Sequence, residues 1–257
     1  MNRFSLVTGA AGALLLLFVA IPVIRMIFAA DPAILAKTMV EPGVMASIFL
    51  TLKCAFFATM FSAFFGIPLA FILARWNFFG KSILSGLIDL PVMIPHTAAG
   101  IALLMVFGKR FFIGKAFAHA GIGFVGTEAG ISLAMAFVSL PFLVNSTRDG
   151  FSAIDPRLER VAETLGASAA LTFFTISLPL AFRSILSGLI MMWARGISEF
   201  GAVIILAYHP MTAPVLVWER FTSFGLAYAR PVAVLLILIC LVIFSILRFI
   251  GKQQRGA

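Results

Sequence analysis

The sequence predicts an all-α polytopic membrane protein of six transmembrane helices. Three observations carry that expectation. First, 62% of the 257 residues are hydrophobic and only 11% are charged, where a soluble domain carries about 25% charged residues. Second, the mean hydropathy is +1.12. Third, apolar runs long enough to cross a bilayer recur along the chain, separated by Pro, Gly and basic residues. Spans and short connections leave little room for a soluble unit, so residues 1–257 are expected to form a single transmembrane domain.

The first span covers Leu6 to Phe28. Its apolar run is longer than the 7–15 residues of an ordinary signal-peptide core, which makes it a retained helix. Asp31 to Met45 reads as a loop. Ser47 to Leu73 is the second span and Arg75 to Ser82 a basic turn. Ile83 to Phe107 is the third span, and it holds Asp89, Pro91, Pro95, His96 and Thr97. Each proline removes a backbone donor and clashes with the preceding turn, so this span is expected to be broken. Broken backbone at membrane depth is tolerated only against protein or a water-filled cavity. A Gly-rich loop with Lys109, Arg110, Lys115 and His119 follows. Ala129 to Val144 is the fourth span, Ser184 to Ala207 the fifth, Tyr208 to Arg230 a loop, and Pro231 to Ile250 the sixth span.

An even number of spans puts both termini on one side. With the N-terminus cytoplasmic, the cytoplasmic set is Arg3, Arg75, Lys81, Arg148, Arg157, Arg160, Arg183, Arg248, Lys252 and Arg255. The outer set is Lys37, Lys53, Lys109, Arg110, Lys115, Arg220 and Arg230. Ten against seven favours cytoplasmic N- and C-termini under the positive-inside rule. The net charge of +9 is therefore read as topology, with no nucleic-acid partner. Cys54 and Cys240 lie in apolar stretches with neither metal spacing nor a disulfide framework. No Gly-x-x-x-x-Gly-Lys-Ser/Thr phosphate loop is present in the sequence.

The stretch Asp155 to Leu180 is amphipathic where the rest of the chain is apolar. Asp155 suits an N-cap and Pro156 the first helical position. Leu158, Val161, Ala162 and Leu165 then follow at i, i+3, i+4 and i+7, and Gly166 ends the pattern as a glycine past a helix does. This helix is too short and too charged to span. Periodicity alone leaves two readings, a helix lying on the membrane interface or a docking helix for a cytoplasmic protein.

Arg195 and Glu199 are four apart near the middle of the fifth span, on one helix face. Each charge costs about 2.5–3.5 kcal/mol at a helix centre on insertion scales, so neither is expected to face lipid. An internal pair that fixes packing and a gate position are both compatible with that. His96, with Thr97 beside it, is either a packed histidine or a pathway-lining residue. Asp89 either stabilises the bend or marks a helix end.

Glu159, Ala162, Leu165, Gly166, Ala167 and Ser168, followed by Ile176 and Leu178-Pro179, resemble the coupling-loop motif of ABC importer permeases. That motif is a Glu-Ala-Ala stretch, a Gly and a downstream Ile-x-Leu-Pro. The Gly-to-Leu-Pro spacing fits. Arg160 and Val161 occupy the strict Glu and first Ala positions, and Glu159 sits one residue early. Glu199-Phe200-Gly201-Ala202 resembles a fifth-helix stretch of molybdate, tungstate and sulfate permeases. Asp89-Leu90-Pro91, Pro95-His96-Thr97 and Ala99-Gly100-Ile101-Ala102 resemble the third-helix motif of the same family.

The resemblance covers residues 47 to 250 and implies a six-helix type I ABC importer permease fold. It implies a channel made with a second copy of the chain, and two ATP-binding subunits docked on a cytoplasmic coupling loop at about 148–182. It also implies an extracytoplasmic oxyanion-binding protein that delivers molybdate or tungstate, with sulfate as the alternative. ATP and Mg would belong to the partner ATPase, with no cofactor in this chain. His96, Thr97, Arg195, Glu199, Phe200 and Gly201 would lie along the gate or pathway. A stand-alone secondary transporter or channel would not need the amphipathic connection. An intramembrane enzyme would need a companion ligand or nucleophile for His96, and the sequence supplies none.

Overall fold

A computed structural model describes residues 3–253, with side chains described for residues 4–246. All regular structure among the described residues is helical, without a strand. The chain divides into two compact units. One comprises residues 1–48 and 216–257, the other residues 49–215.

In the first unit, α1 (Arg3–Phe28) is apolar on every side, as a helix surrounded by lipid is. The segment expected as a loop after it contains α2 (Pro32–Val40). Asp31 accepts a hydrogen bond from the Ala33 amide at 2.8 Å and Pro32 opens the helix. This is the same Asp-Pro start signal that marks the amphipathic connection. α2 packs against α13 (Leu226–Gln253). Arg230 donates to the Ala29 carbonyl at 3.0 Å and Arg220 pairs with Glu41. The sixth span is expected to open at Pro231, but α13 begins five residues earlier.

The second unit holds most of α3 (Pro42–Arg75). The third span is broken as expected, into α4 (Lys81–Met93) and α5 (His96–Phe107), bent by 115° across Ile94-Pro95. The Gly-rich loop contains α6 (Phe112–His119). The fourth span does not stop at Val144: α7 runs from Glu128 to Ser152. Asn145 to Asp149 are polar but compatible with a helix, and Ser146 Oγ donates to the Ser184 carbonyl at 2.8 Å. The connection after α7 contains α8 (Pro156–Thr164) and leads into α9 (Ala169–Thr172). A π-helical turn at Phe173–Ser177 then passes directly into α10 (Leu178–Ile197).

The fifth span also differs from expectation. α10 ends at Ile197, and the short α11 (Gly201–Leu206) follows a break at Ser198-Glu199-Phe200. The loop expected after it contains α12 (Ala213–Phe224). The amide of Ala213 donates to Thr51 Oγ1 at 2.8 Å, which fixes where that helix starts. Among the described residues, five helical stretches are long and apolar enough to span, six when the bent α4–α5 pair counts as one.

Near the end of α3 the core is built from Ala70, Leu73, Ile88, Val144, Phe151, Ile154, Ala181 and Ile185. Phe71, Phe151 and Phe173 add a mutually packed aromatic cluster, with ring centroids 4.9 to 6.0 Å apart. These rings bring α3, α7 and the π-turn together beside α8.

Candidate functional site: an anchored amphipathic helix and a polar cluster at two broken spans

α8 is defined at both ends by its sequence. Asp155 accepts a hydrogen bond from the Arg157 amide at 2.9 Å. At the other end the Gly166 amide donates to the Glu163 carbonyl and the Ala167 amide to the Ala162 carbonyl, both at 3.0 Å. That pair of bonds is the Schellman arrangement, and Gly166 takes its left-handed residue with φ +93°. Ser168 then starts α9 by accepting from the Leu171 amide at 3.2 Å.

Glu159 anchors the helix. One of its oxygens, Oε1, accepts from Arg75 Nε at 3.0 Å, Arg75 Nη2 at 2.8 Å and Ser177 Oγ at 2.7 Å. The side chains of Arg75 and Glu159 are only 9% and 13% exposed. The end of α3, the middle of α8 and the end of the π-turn are thereby tied at a single atom. Sequence reading identifies Glu159 but assigns Arg75 only to topology and does not single out Ser177. An Arg in the last turn of a span, with a carboxylate on the amphipathic helix, is the available signal.

The apolar stripe of α8 is split by this anchor. Ala162 is half-buried, while Leu158, Val161 and Leu165 are exposed, Leu165 at 83%. Held by a charge-assisted bond on one side, the helix presents three large apolar side chains on the other.

The second group of residues lies at the opposite end. Lys53 pairs with Glu128 at 2.7 Å, and it stands 22 positions before Arg75 in α3. At 1.5 Å per residue that is about 33 Å, close to the roughly 30 Å hydrocarbon thickness of a bilayer. Trp193 Nε1 donates to the Leu52 carbonyl at 3.4 Å, so the end of α10 lies level with Lys53. Arg195 and Glu199 are therefore at the far end of the span, not near its middle. The break after Ile197 shortens the helix, which hydropathy alone does not register.

Glu199 is 1% exposed. Its Oε1 accepts from the Ala202 amide at 2.9 Å and starts α11. Its Oε2 lies 3.0 Å from both Arg195 Nη2 and His96 Nδ1. Arg195 Nη2 also approaches the His96 ring nitrogens at 2.9 Å, and its Nη1 donates to Ser198 Oγ at 3.2 Å. His96, the first residue of α5, remains 36% exposed at its side chain. A buried carboxylate thus sits beneath two basic groups whose outer edges are open. Isolated burial of such a carboxylate is costly, and the pairing offsets it.

The two motifs meet because glycines let them. A Cβ on Gly201 would lie 2.7 Å from the Cβ of His96, and one on Gly100 would lie 2.9 Å from both the Ala202 carbonyl and the Ile205 Cβ. Thr97 is exposed beside His96 and Phe200 is half-buried in the break. Asp89 does not mark a helix end. It lies inside α4 and accepts from Asn145 Nδ2 at 2.6 Å, beside a cavity of about 440 Å³ lined by Val92, Met93, Phe142 and Met191. Asn145 escapes the sequence reading because it falls just outside the expected fourth span.

Residues 66–256 match the family described as binding-protein-dependent transport system inner membrane component. The chain is 47% identical over 250 residues to the molybdate/tungstate transport system permease protein WtpB of Pyrococcus abyssi, covering 96% of this chain and 95% of that one. It is 34% identical over 219 residues to the probable sulfate transport system permease protein cysT of Chlorokybus atmophyticus, covering 84% and 77% respectively. Among solved structures it shares its fold, at a TM-score of 0.75 and 14% identity, with a bacterial ABC transporter involved in the import of the acidic polysaccharide alginate. That alignment covers 97% of this chain and 96% of the other. A multi-pass membrane chain with these matches is a transporter component, not an enzyme, and it belongs to the binding-protein-dependent transport system inner membrane component family.

Proposed function

We propose that this chain is the membrane-spanning subunit of an ATP-driven importer of a tetrahedral oxyanion, molybdate or tungstate. Two copies form the pathway. Two separate ATP-binding subunits, which carry ATP and Mg, dock on α8 at the cytoplasmic side, where both termini also lie. An extracytoplasmic binding protein delivers the oxyanion. The observation that carries the coupling reading is the anchor at Glu159, which ties α8 to α3 and to the helix leading into α10. A push on Leu158, Val161 and Leu165 is transmitted through it to two spanning helices at once. The polar cluster at His96, Arg195 and Glu199 lies at the far end of α10, where alternating access requires a gate. The molybdate or tungstate assignment is supported by the 47% identical relative.

The experiment has two arms. Gly166→Lys is co-purified with candidate ATP-binding subunits, and uptake is measured in reconstituted vesicles. Loss of the complex and of uptake is expected, and retention of both sinks the docking reading. Uptake of molybdate, tungstate and sulfate is then competed in the presence of the binding protein. Sulfate is the second reading, favoured by the 34% identical relative, and preferential sulfate uptake would establish it. Family membership sets aside a stand-alone secondary transporter and an intramembrane enzyme.

A further inference from the structure

The connection between α5 and α7 carries a feature that neither coupling nor gating uses. Residues 108–127 contain Lys109, Arg110, Lys115 and His119 and no Asp or Glu. Among the described residues, no carboxylate pairs with Lys109, Arg110 or Lys115, and all three are exposed. Two of the three lie in the turn before α6 and the third lies on it.

α6 is held firmly. Gly114 is pressed against the carbonyl of Gly108 at the end of α5, where a Cβ would lie 2.1 Å from that oxygen. Phe117 packs edge-on to Phe124 at 5.2 Å, and Phe124 packs on Phe107 at 5.0 Å. Another side of the helix is uncovered. Phe112 is 88% exposed and Phe111 41%. Lys115 follows them at i+3 and i+4, so the two rings and the ammonium share one face. The Lys115 amide donates to the Phe111 carbonyl at 2.8 Å, which fixes that register.

An exposed Phe beside a cation is unfavourable in water and suited to the boundary between headgroups and acyl chains. α6 starts four residues after α5, the apolar second half of the bent α4–α5 pair. We propose that α6 and the turn before it form a binding site for anionic phospholipid. Phe111 and Phe112 lie against the acyl chains, and Lys109, Arg110 and Lys115 hold the headgroup phosphate. Each basic residue near an anionic membrane surface contributes roughly fivefold in affinity.

The full-length F112W protein is reconstituted in mixed vesicles of phosphatidylcholine and phosphatidylglycerol, in which one lipid or the other carries brominated chains. Quenching in excess of that of the wild-type tryptophans reports which lipid touches position 112. Brominated phosphatidylglycerol is expected to quench more strongly than brominated phosphatidylcholine. The K109Q/R110Q/K115Q change in the same background should abolish the preference while total quenching by lipid persists, which also shows that the variant is folded and inserted. In parallel, retention of phosphatidylglycerol through detergent purification should fall at least about tenfold in the triple variant. Equal quenching by both lipids before substitution overturns the proposal. So does the absence of quenching by either lipid, which would mean that a second copy or a soluble protein covers the face.

Discussion

Arg75 donates through Nε and Nη2 to the same oxygen of Glu159, at 3.0 and 2.8 Å, although 84 positions separate them in the chain. Ser177 Oγ donates to that oxygen as well. Removing one partner of a pair this far from solvent leaves the other charge without a counter-ion. Such losses cost about 3–5 kcal/mol. Glu159→Ala and Arg75→Ala should each lower the melting temperature of the purified permease and reduce ATP-dependent uptake. The double variant should be little worse than either single one, because both remove the same bond. Full additivity in the melting temperatures would show that the two residues act separately.

Gly166 takes φ +93° and closes α8 with two backbone bonds. A side chain in that conformation costs roughly 1–2 kcal/mol, less for Asn, which tolerates it. Nothing lies near the missing Cβ, so space is not the constraint. The expected order of stability is Gly, then Asn, then Ala, then Val, read by thermal denaturation of the permease alone. If Gly166→Val melts like wild type, the backbone conformation at this position is not what the sequence requires.

The Gly100 and Gly201 positions make the opposite prediction, because there the constraint is space. A Cβ on Gly201 would lie 2.7 Å from the His96 Cβ, and one on Gly100 would lie 2.9 Å from the Ile205 Cβ. Overpacking of this kind costs typically about 1–3 kcal/mol. Gly201→Ala should destabilise and shift the packing of α5 on α11, seen as a lower melting temperature and reduced uptake with assembly retained. Unchanged melting would mean that the two helices part at no cost.

Much of this architecture is legible in the residues because it depends on local signals. Asp155-Pro156 and Gly166 delimit α8, and Pro91 and Pro95 mark the broken third span. The same signal at Asp31-Pro32 goes unread, since a short helix between spans leaves no hydropathy trace. The break at Ser198-Glu199-Phe200 is hidden for a different reason. Nothing in its composition forbids a continuous helix, and what starts the new one is the capture of the Ala202 amide by Glu199. The partners of Glu159 and Asp89 are long-range: Arg75 and Asn145 are 84 and 56 positions away. Periodicity can put a carboxylate on a face, but the identity of the cation or amide opposite it depends on how the helices pack.

Glu199 is the most buried charge of the polar cluster, and it both neutralises Arg195 and starts α11. His96 has 36% of its side chain exposed. The two residues should therefore differ sharply. Glu199→Ala removes the counter-ion of Arg195 and the acceptor of the Ala202 amide together, a loss of about 3–5 kcal/mol that should show as poor expression or a large fall in melting temperature. Glu199→Gln keeps an acceptor for that amide and should recover part of the loss. His96→Ala leaves the Arg195–Glu199 pair at 3.0 Å in place and should cost under about 1.5 kcal/mol, the scale of a single net hydrogen bond. If His96→Ala is as damaging to the fold as Glu199→Ala, the imidazole rather than the carboxylate holds the two broken spans together.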